Sequence, residues 1–483
     1  MELFILLVYA IPLVFIFSYS LVQLSLIINY LSRKKLISKH LSTSDNLPFV
    51  TIQLPVYNEL YVVERLIDAI AAFDYPKNRF EIQILDDSTD ETVDIIAQKT
   101  KEIQAKNIDI HHIRRENRQG FKAGALAYGL AFCKGEFIAI FDADFVPPKD
   151  FLQKTIPYFS EKNVGVVQTR WQHLNENYSL LTHLQAFGLD AHFTIEQGGR
   201  NAKNHFINFN GTAGIWRKKT IENAGGWEAD TLTEDLDLSY RAQMLGWKFV
   251  YLENVGCPAE LPVTISAIKS QQYRWTKGAA ECVAKNLRKL LTNSHLSIST
   301  KLHGFYHLMN SAVFVAVFFL SILSLPVMLV ASNSEIYDKF FRFTALFQVS
   351  WVILGCFYWI SFQKTGLGFL KFVKRFVLFL LFMMGLSFHN SVAVLEGWLG
   401  RKTPFVRTPK FNINKQSDSW QNNKYLVKTI AKSTWIELLL FFYFVTALFI
   451  EIYLKNYGLV PFHLMLILGY GSILFYTFKQ MKS

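Results

Sequence analysis

Asp142 and Asp144 stand one residue apart after the apolar run Phe-Ile-Ala-Ile-Phe at 137–141. Carboxylates this close repel each other unless a proton or a cation lies between them. Oxygen donors favour Mg²⁺ or Mn²⁺, and such an ion would bridge a diphosphate and stabilise its growing negative charge. A D-x-D alone describes many solvated loops; its place after a strand-like run gives it weight. Asp86-Asp87-Ser88 closes an earlier apolar run in the same way, either as a helix N-cap or as ligand-binding carboxylates. Lys122 sits among small residues in Gly120-Phe121-Lys122-Ala123-Gly124, where the backbone permits close approach and a lysine can meet phosphate. Thr233-Glu234-Asp235 precedes an amphipathic stretch at 236–245. Its acids suit a helix N-terminus, and equally a general base that deprotonates a hydroxyl in a single displacement, with no carboxylate nucleophile. Gln271-Gln272-Tyr273-Arg274-Trp275 adds a guanidinium for phosphate and an indole face for an apolar ring surface. The plainer reading of that pentapeptide is an amphipathic helix beside a membrane.

These groups need a scaffold that brings them to one edge. Short apolar runs at 50–54, 80–85, 108–113 and 137–141 alternate with helical patterns, the first starting near 60. Strands alternating with helices predict a parallel α/β sheet over about 48–290. Ligands bind such sheets beyond the carboxyl ends of the strands, where both acidic pairs stand.

Outside that stretch the composition changes. Apolar residues make up 51% of the 483 residues, little more than in soluble proteins, but the excess is concentrated at 2–30 and in blocks after 303. The first block is long enough to span a bilayer. It lacks a preceding basic region and a following small-residue cleavage site, so a retained anchor over 1–32 is expected rather than a signal peptide. Further spans are expected in pairs over 303–362 and 434–479. The block at 368–396 carries Lys371, Lys374 and Arg375 at its start and is followed by Arg401, Lys402, Arg407 and Lys410. A span there would put those charges outside, against the positive-inside bias, so 367–430 is read as an interfacial helix and a cytoplasmic loop. The net charge of +12 gathers beside apolar blocks, as at Arg33-Lys34-Lys35, which points to anionic lipid and argues against nucleic acid. Cys133, Cys257, Cys282 and Cys356 are too scattered for a zinc site or disulfide framework and read as small buried hydrophobes. His303 and His307 have ligand spacing, but Gly304 stands where a zinc hydrolase would carry Glu.

Taken together and in order, the motifs resemble glycosyltransferase family 2. The resemblance is to the cellulose-synthase superfamily with its D, D, D, Q-x-x-R-W signature, and most of all to its cellulose-synthase-like A branch, the glucomannan 4-β-mannosyltransferases. The stretches that carry it are Gln53 to Glu59, Leu85 to Asp90, Lys122 to Leu126, Ile140 to Phe145, Phe209 to Gly214, the Thr-Glu-Asp and Gln271 to Trp275. The resemblance implies a GT-A (Rossmann-like) α/β domain joined to an α-helical transmembrane region. It places Tyr57, Glu59, Asp86 and Asp87 near the nucleoside and Lys122, Gln271 and Arg274 at the diphosphate. Asp142 and Asp144 hold the metal, Mg²⁺ or Mn²⁺, and Asp142 also serves the donor. Asp235 is the base, with Asn210, Gly211, Glu234 and Trp275 at the acceptor. Phe405, Thr408 and Lys410 match the family's gating loop over the nucleotide, with Arg407 standing where the family has Val. The activity implied is an inverting, metal-dependent transfer from a UDP- or GDP-linked sugar to a growing β-linked polysaccharide. A glycolipid synthase adding one or few sugars is the alternative within this fold, and a non-catalytic transporter or scaffold the alternative outside it. Expected partners are the nucleotide sugar, a glycan or lipid acceptor and membrane lipids. The expected location is a bacterial inner membrane, with the catalytic domain cytoplasmic.

Overall fold

The computed structural model describes residues 2–34, 47–331, 345–421, 423–426 and 429–482. Lys35 of the basic cluster and the middle of the expected 303–362 pair of spans lie outside the described residues. Seven strands form one sheet: β1 Val50–Val56, β2 Phe80–Asp86, β3 Asp109–Arg114, β4 Phe137–Ile140, β5 Val164–His173, β6 Gly214–Arg217 and β7 Lys248–Ala259. Their order is β3-β2-β1-β4-β6-β5-β7. Ile52, Leu54, Ile82, Ile84, Ile138 and Ile140 are fully buried, as runs covered on both sheet faces must be.

The sheet is mixed, not parallel. β6 runs antiparallel to both β4 and β5, while β1, β2, β3, β4 and the β5–β7 pair run parallel. The reason lies in the chain before β6. Asn210-Gly211-Thr212 already stands at the carboxyl edge, and Ala213 N–H donates to Ile140 C=O at 2.9 Å. The strand therefore starts beside the end of β4, with Ile140 opposite Gly214, and runs back. This reversal sets the Asn-Gly turn next to Asp142.

Helix Ile265–Thr292 leads from the sheet to the apolar helices, and Thr264 Oγ1 caps it by accepting from Ala267 N–H at 3.4 Å. Among the described residues, four helices are long and apolar enough to cross a membrane: Phe4–Leu31, Ile298–Leu329, Lys432–Tyr453 and Tyr457–Met481. Helix Val349–Phe362 has 14 residues and continues directly from the helical turn Ala345–Gln348, together near the lower end of the lengths that span a bilayer. Phe369–Gly385 and Ser387–Trp398 form a pair bent by 52°. Phe372, Phe379 and Phe382 of this pair pack on Leu181, Leu184 and Phe187 from the sheet domain and on Ile265 and Ile268. Glu437, fully buried in its helix, accepts from Lys269 at 2.7 Å; Glu451 pairs with His463 at 2.8 Å. Both carboxylates fasten helices to one another. His303 and His307 face different partners, Ser25 Oγ at 3.2 Å and Tyr240 OH at 2.9 Å. Cys133, Cys257 and Cys282 are buried as expected, whereas Cys356 is exposed on helix Val349–Phe362.

Candidate active site

One cleft opens beyond the carboxyl ends of β1, β2 and β4, about 170 Å³ in volume. Tyr57 and Glu59 enter from the turn after β1, Asp87 from the end of β2, and Asp142 and Asp144 from the end of β4. Asp86 does not enter it. Consecutive strand residues point to opposite faces, so only one of the pair can face the cleft. Asp86 is buried on the other side, accepting from Ser88 N–H at 2.8 Å and bonding His112 Nε2 at 2.8 Å. Asp87 faces inward, held by Arg115 Nε at 3.0 Å and by a short bond to Nη2.

Lys122 begins helix Phe121–Leu130 after a turn in which Gly120 and Phe121 both have positive φ, 72° and 49°. Its Nζ donates to Asp142 at 2.5 Å and to Gly211 C=O at 2.9 Å. Burial works against its charge, but Asp142 and Glu234 outweigh it and raise the lysine's pKa. Gly124 closes this turn: a Cβ there would lie 2.1 Å from Gln119 C=O and 2.7 Å from the Arg115 guanidinium. Gly124→Ala is therefore expected to cost roughly 1–3 kcal/mol of stability through overpacking and to raise donor KM by disturbing Arg115 and Asp87. A thermal-unfolding scan with donor titration checks it; an unchanged Tm and KM would show that the turn accommodates the methyl.

Thr233-Glu234-Asp235 opens helix Glu234–Met244, and both carboxylates line the cleft. Asp235 Oδ1 accepts from Leu236 N–H at 2.8 Å. A Cβ at Gly211, whose φ is 78°, would meet Asp235 Oδ2 at 2.9 Å, so glycine leaves that oxygen open. Burial first, then the Glu234 charge, pushes the Asp235 carboxyl up to about 7; burial also raises Glu234. A carboxylate with such a pKa can take a proton near neutrality.

Gln271, Arg274 and Trp275 share one face of helix Ile265–Thr292, being three and four residues apart, and all line the cleft. Arg274 lies 4.9 Å from the Phe405 ring. Trp275 stands 6.4 Å from Trp171, and these two indoles line the cleft together with His173, Asn210 and Gly211. Trp171, His173, Glu260 and Arg118 were not singled out from the sequence. For Trp171 the alternation along β5 held a signal, an indole at the carboxyl end of a strand.

The 405–410 segment lies in the cleft. Phe405 stacks on Phe121 at 5.7 Å, Thr408 is buried, and Arg407 pairs with Glu59 at 3.0 Å. Lys410 donates to Asp144 Oδ2 at 2.7 Å and to Glu260 C=O at 2.8 Å. Burial pushes Glu59 up to about 7 despite the pull of Arg407. Lys277, fully buried, anchors the segment's start by donating to Arg401 C=O at 2.6 Å and Thr403 Oγ1 at 2.8 Å.

The donor set suits a hard divalent cation. Asp142 and Asp144 offer only oxygen. Asp142 keeps about a third of its side chain exposed, at 34%. Glu59 and Glu260 line the same cleft, but their Oε2 atoms are ion-paired with Arg407 at 3.0 Å and with Arg65 at 3.7 Å.

The profile of glycosyl transferase family 2 matches residues 51–223. A probable glucomannan 4-beta-mannosyltransferase 4 from Oryza sativa subsp. japonica is 43% identical over 54% of this chain and 48% of its own length. Glucomannan 4-beta-mannosyltransferase 9 from Arabidopsis thaliana is 33% identical over 79% of this chain and 71% of its own. The chain thus spans about half the length of the rice relative it matches. These relatives are plant proteins and lend no support to a bacterial inner membrane. Among solved structures, the mannosyltransferase PcManGT from Pyrobaculum calidifontis superposes with a TM-score of 0.55 at 18% identity, covering 74% of this chain and 98% of that one. The fold is GT-A, with apolar helices added to it. The chain belongs to glycosyltransferase family 2, in its cellulose-synthase-like A branch, alongside the glucomannan 4-β-mannosyltransferases.

Proposed function

We propose that this protein transfers mannosyl residues from GDP-mannose to a growing β-linked glycan at a membrane, with inversion at the anomeric carbon. The observation that carries the reading is the convergence of Asp142, Asp144, Lys122, Asp235, Arg274 and Trp275 on one cleft, in a chain whose relatives are named as mannosyltransferases. Asp235 takes the proton of the acceptor hydroxyl as that oxygen attacks the anomeric carbon. The bond from that carbon to the phosphate oxygen breaks, and its electron pair leaves with the diphosphate. Lys122, Gln271 and Arg274 hold the diphosphate, while Tyr57, Glu59 and Asp87 line the nucleoside end. Asn210, Gly211, Glu234 and Trp275 position the acceptor. Asp142 and Asp144 would hold a divalent cation, Mg²⁺ or Mn²⁺, which would supply charge neutralisation to the leaving group.

Domain assignments follow the same logic. The anchor over 1–32, the catalytic unit over 48–290, the paired spans at 303–362 and 434–479, and the interfacial segment over 367–430 form a multi-pass protein. Arg407 and Lys410 in the cleft favour placing that segment on the catalytic side of the membrane, the cytoplasmic one by its charge. Phe405, Thr408 and Lys410 then act as a gate over the donor.

The test is product analysis. Protein in lipid nanodiscs supplied with GDP-mannose should make β-linked oligomers that lengthen with time, read by mass spectrometry and linkage analysis. Trp275→Ala should shorten or abolish them while donor hydrolysis continues, because a sugar ring stacks its apolar C–H face on an indole. A product that stays a monoglycosylated lipid at saturating donor would replace the polymer reading with a glycolipid synthase.

A further inference from the structure

The cleft's cations divide into two groups. Lys122, Arg407 and Lys410 are each paired with a carboxylate, Asp142, Glu59 and Asp144 respectively, as Arg115 behind the lining is with Asp87. Arg118 and Arg274 line the same cleft and have no ion-pair partner among the described residues. Arg274 belongs to the Q-x-x-R-W face assigned to the diphosphate. Arg118 stands at the other end, with Pro55, Tyr57, Leu85 and Asp87. Its Cζ lies 3.3 Å from the centre of the Tyr57 ring, and its buried Nε has no hydrogen-bond partner. The strained turn at Gly120 and Phe121 fixes the backbone just after it. Non-glycine residues hold a positive φ only where their surroundings impose it, and such strain gathers at ligand sites. A guanidinium resting on an aromatic face, with an unsatisfied buried N–H, is poised to be completed by a ligand.

We propose that Arg118 reads the base of the donor nucleotide and selects guanine through its O6/N7 edge, a role that rests on the GDP-sugar reading above. An arginine fork offers only donors and matches two adjacent acceptors in one plane. Guanine presents O6 and N7 side by side, whereas adenine places an amino donor beside N7. Uracil sets an N–H between two carbonyls, so reading it calls for an acceptor flanked by donors. Asp87, the acceptor at this end, is already engaged by Arg115. Tyr57 serves as the platform on which Arg118 is held flat to the base plane.

The experiment measures binding of GDP, 7-deaza-GDP and UDP to the full chain in nanodiscs by calorimetry, for the wild type, Arg118→Lys and Arg118→Met. A bidentate arginine–guanine contact discriminates by about 1–3 kcal/mol, so wild-type protein should bind GDP roughly 5- to 150-fold more tightly than 7-deaza-GDP. Both variants should bring that ratio close to one by weakening GDP alone, Lys included because it keeps the charge but loses the fork. If 7-deaza-GDP binds the wild type as tightly as GDP does, the inference is overturned without recourse to any variant. Equal weakening of GDP and UDP in the variants would move Arg118 to the diphosphate and overturn it as well. A wild type that prefers UDP would instead bring down the GDP-mannose reading, a result distinct from either of these.

Discussion

Asp235→Asn is expected to lower the transfer rate by about 10²–10⁴-fold, the usual loss when a general base is removed, while leaving donor affinity nearly unchanged. The amide has the shape of the carboxylate but cannot accept the hydroxyl proton. Its position supports a role toward the acceptor: Oδ2 faces the open side of Gly211, and Oδ1 is tied to the backbone of Leu236. Single-turnover rates with calorimetric donor binding separate the two effects. Near wild-type turnover in the variant would leave Asp235 as only a helix N-terminal acid.

The same residue is expected to set the acid side of the pH profile. Asp235 must be ionised to act, and burial together with Glu234 holds its pKa up at about 7. The rate should therefore fall as pH drops through about 7, where an ordinary aspartate near 3.9 would keep activity some three units further down. Removing the neighbouring charge by Glu234→Gln should move this limb to lower pH, since the Glu234 carboxylate is one of the forces raising it. An acid limb that stays in place in Glu234→Gln would mean that another group titrates there.

The chemistry of the cleft was legible in the sequence where a single strand end carried it. The apolar runs before Asp87 and Asp142 became β2 and β4, with boundaries within a residue or two. The spacing of Gln271, Arg274 and Trp275 put all three on one helical face. Reading Asp86 and Asp87 as one unit was too generous, because the strand pleat separates them. What remained hidden is carried by contacts distant in sequence. β6 is four residues long, too short for a periodic signal, and its direction follows from the turn before it. Gln168 and Thr169 look like loop residues, yet they lie buried in β5, where Gln168 Nε2 donates to Thr212 and Ala213 carbonyls at 3.2 and 3.1 Å. Arg118 sits in the charged run Arg114-Arg115-Glu116-Asn117-Arg118, which reads as a solvated loop; only the fold shows that Arg115 is used up and Arg118 is not. Arg407 departs from the family's gating loop, and only the fold supplies its partner, Glu59.

Removing divalent metal with EDTA is expected to cut transfer by about 10²-fold or more, the scale on which loss of one group opposing the developing charge is felt. Readdition of Mn²⁺ or Mg²⁺ should restore it. Lysines already neutralise both aspartates: Lys122 meets Asp142 and Lys410 meets Asp144. Were these ammonium groups enough, metal would be superfluous. Yet each is already spent on its carboxylate, as Arg407 is on Glu59 and Arg65 on Glu260. An arriving diphosphate adds negative charge to a cleft whose cations are mostly matched, and the leaving group gains more as the bond breaks. Unscreened carboxylates beside it would repel it strongly in a poorly solvated pocket. Asp142 and Asp144 would hold a dication that would reverse that local balance and leave Lys410 and Lys122 to meet phosphate oxygens. Lys410→Met should then weaken donor binding in the presence of metal, while leaving intact the requirement for metal. Full transfer in metal-free buffer would show instead that the two lysines carry the leaving group's charge by themselves.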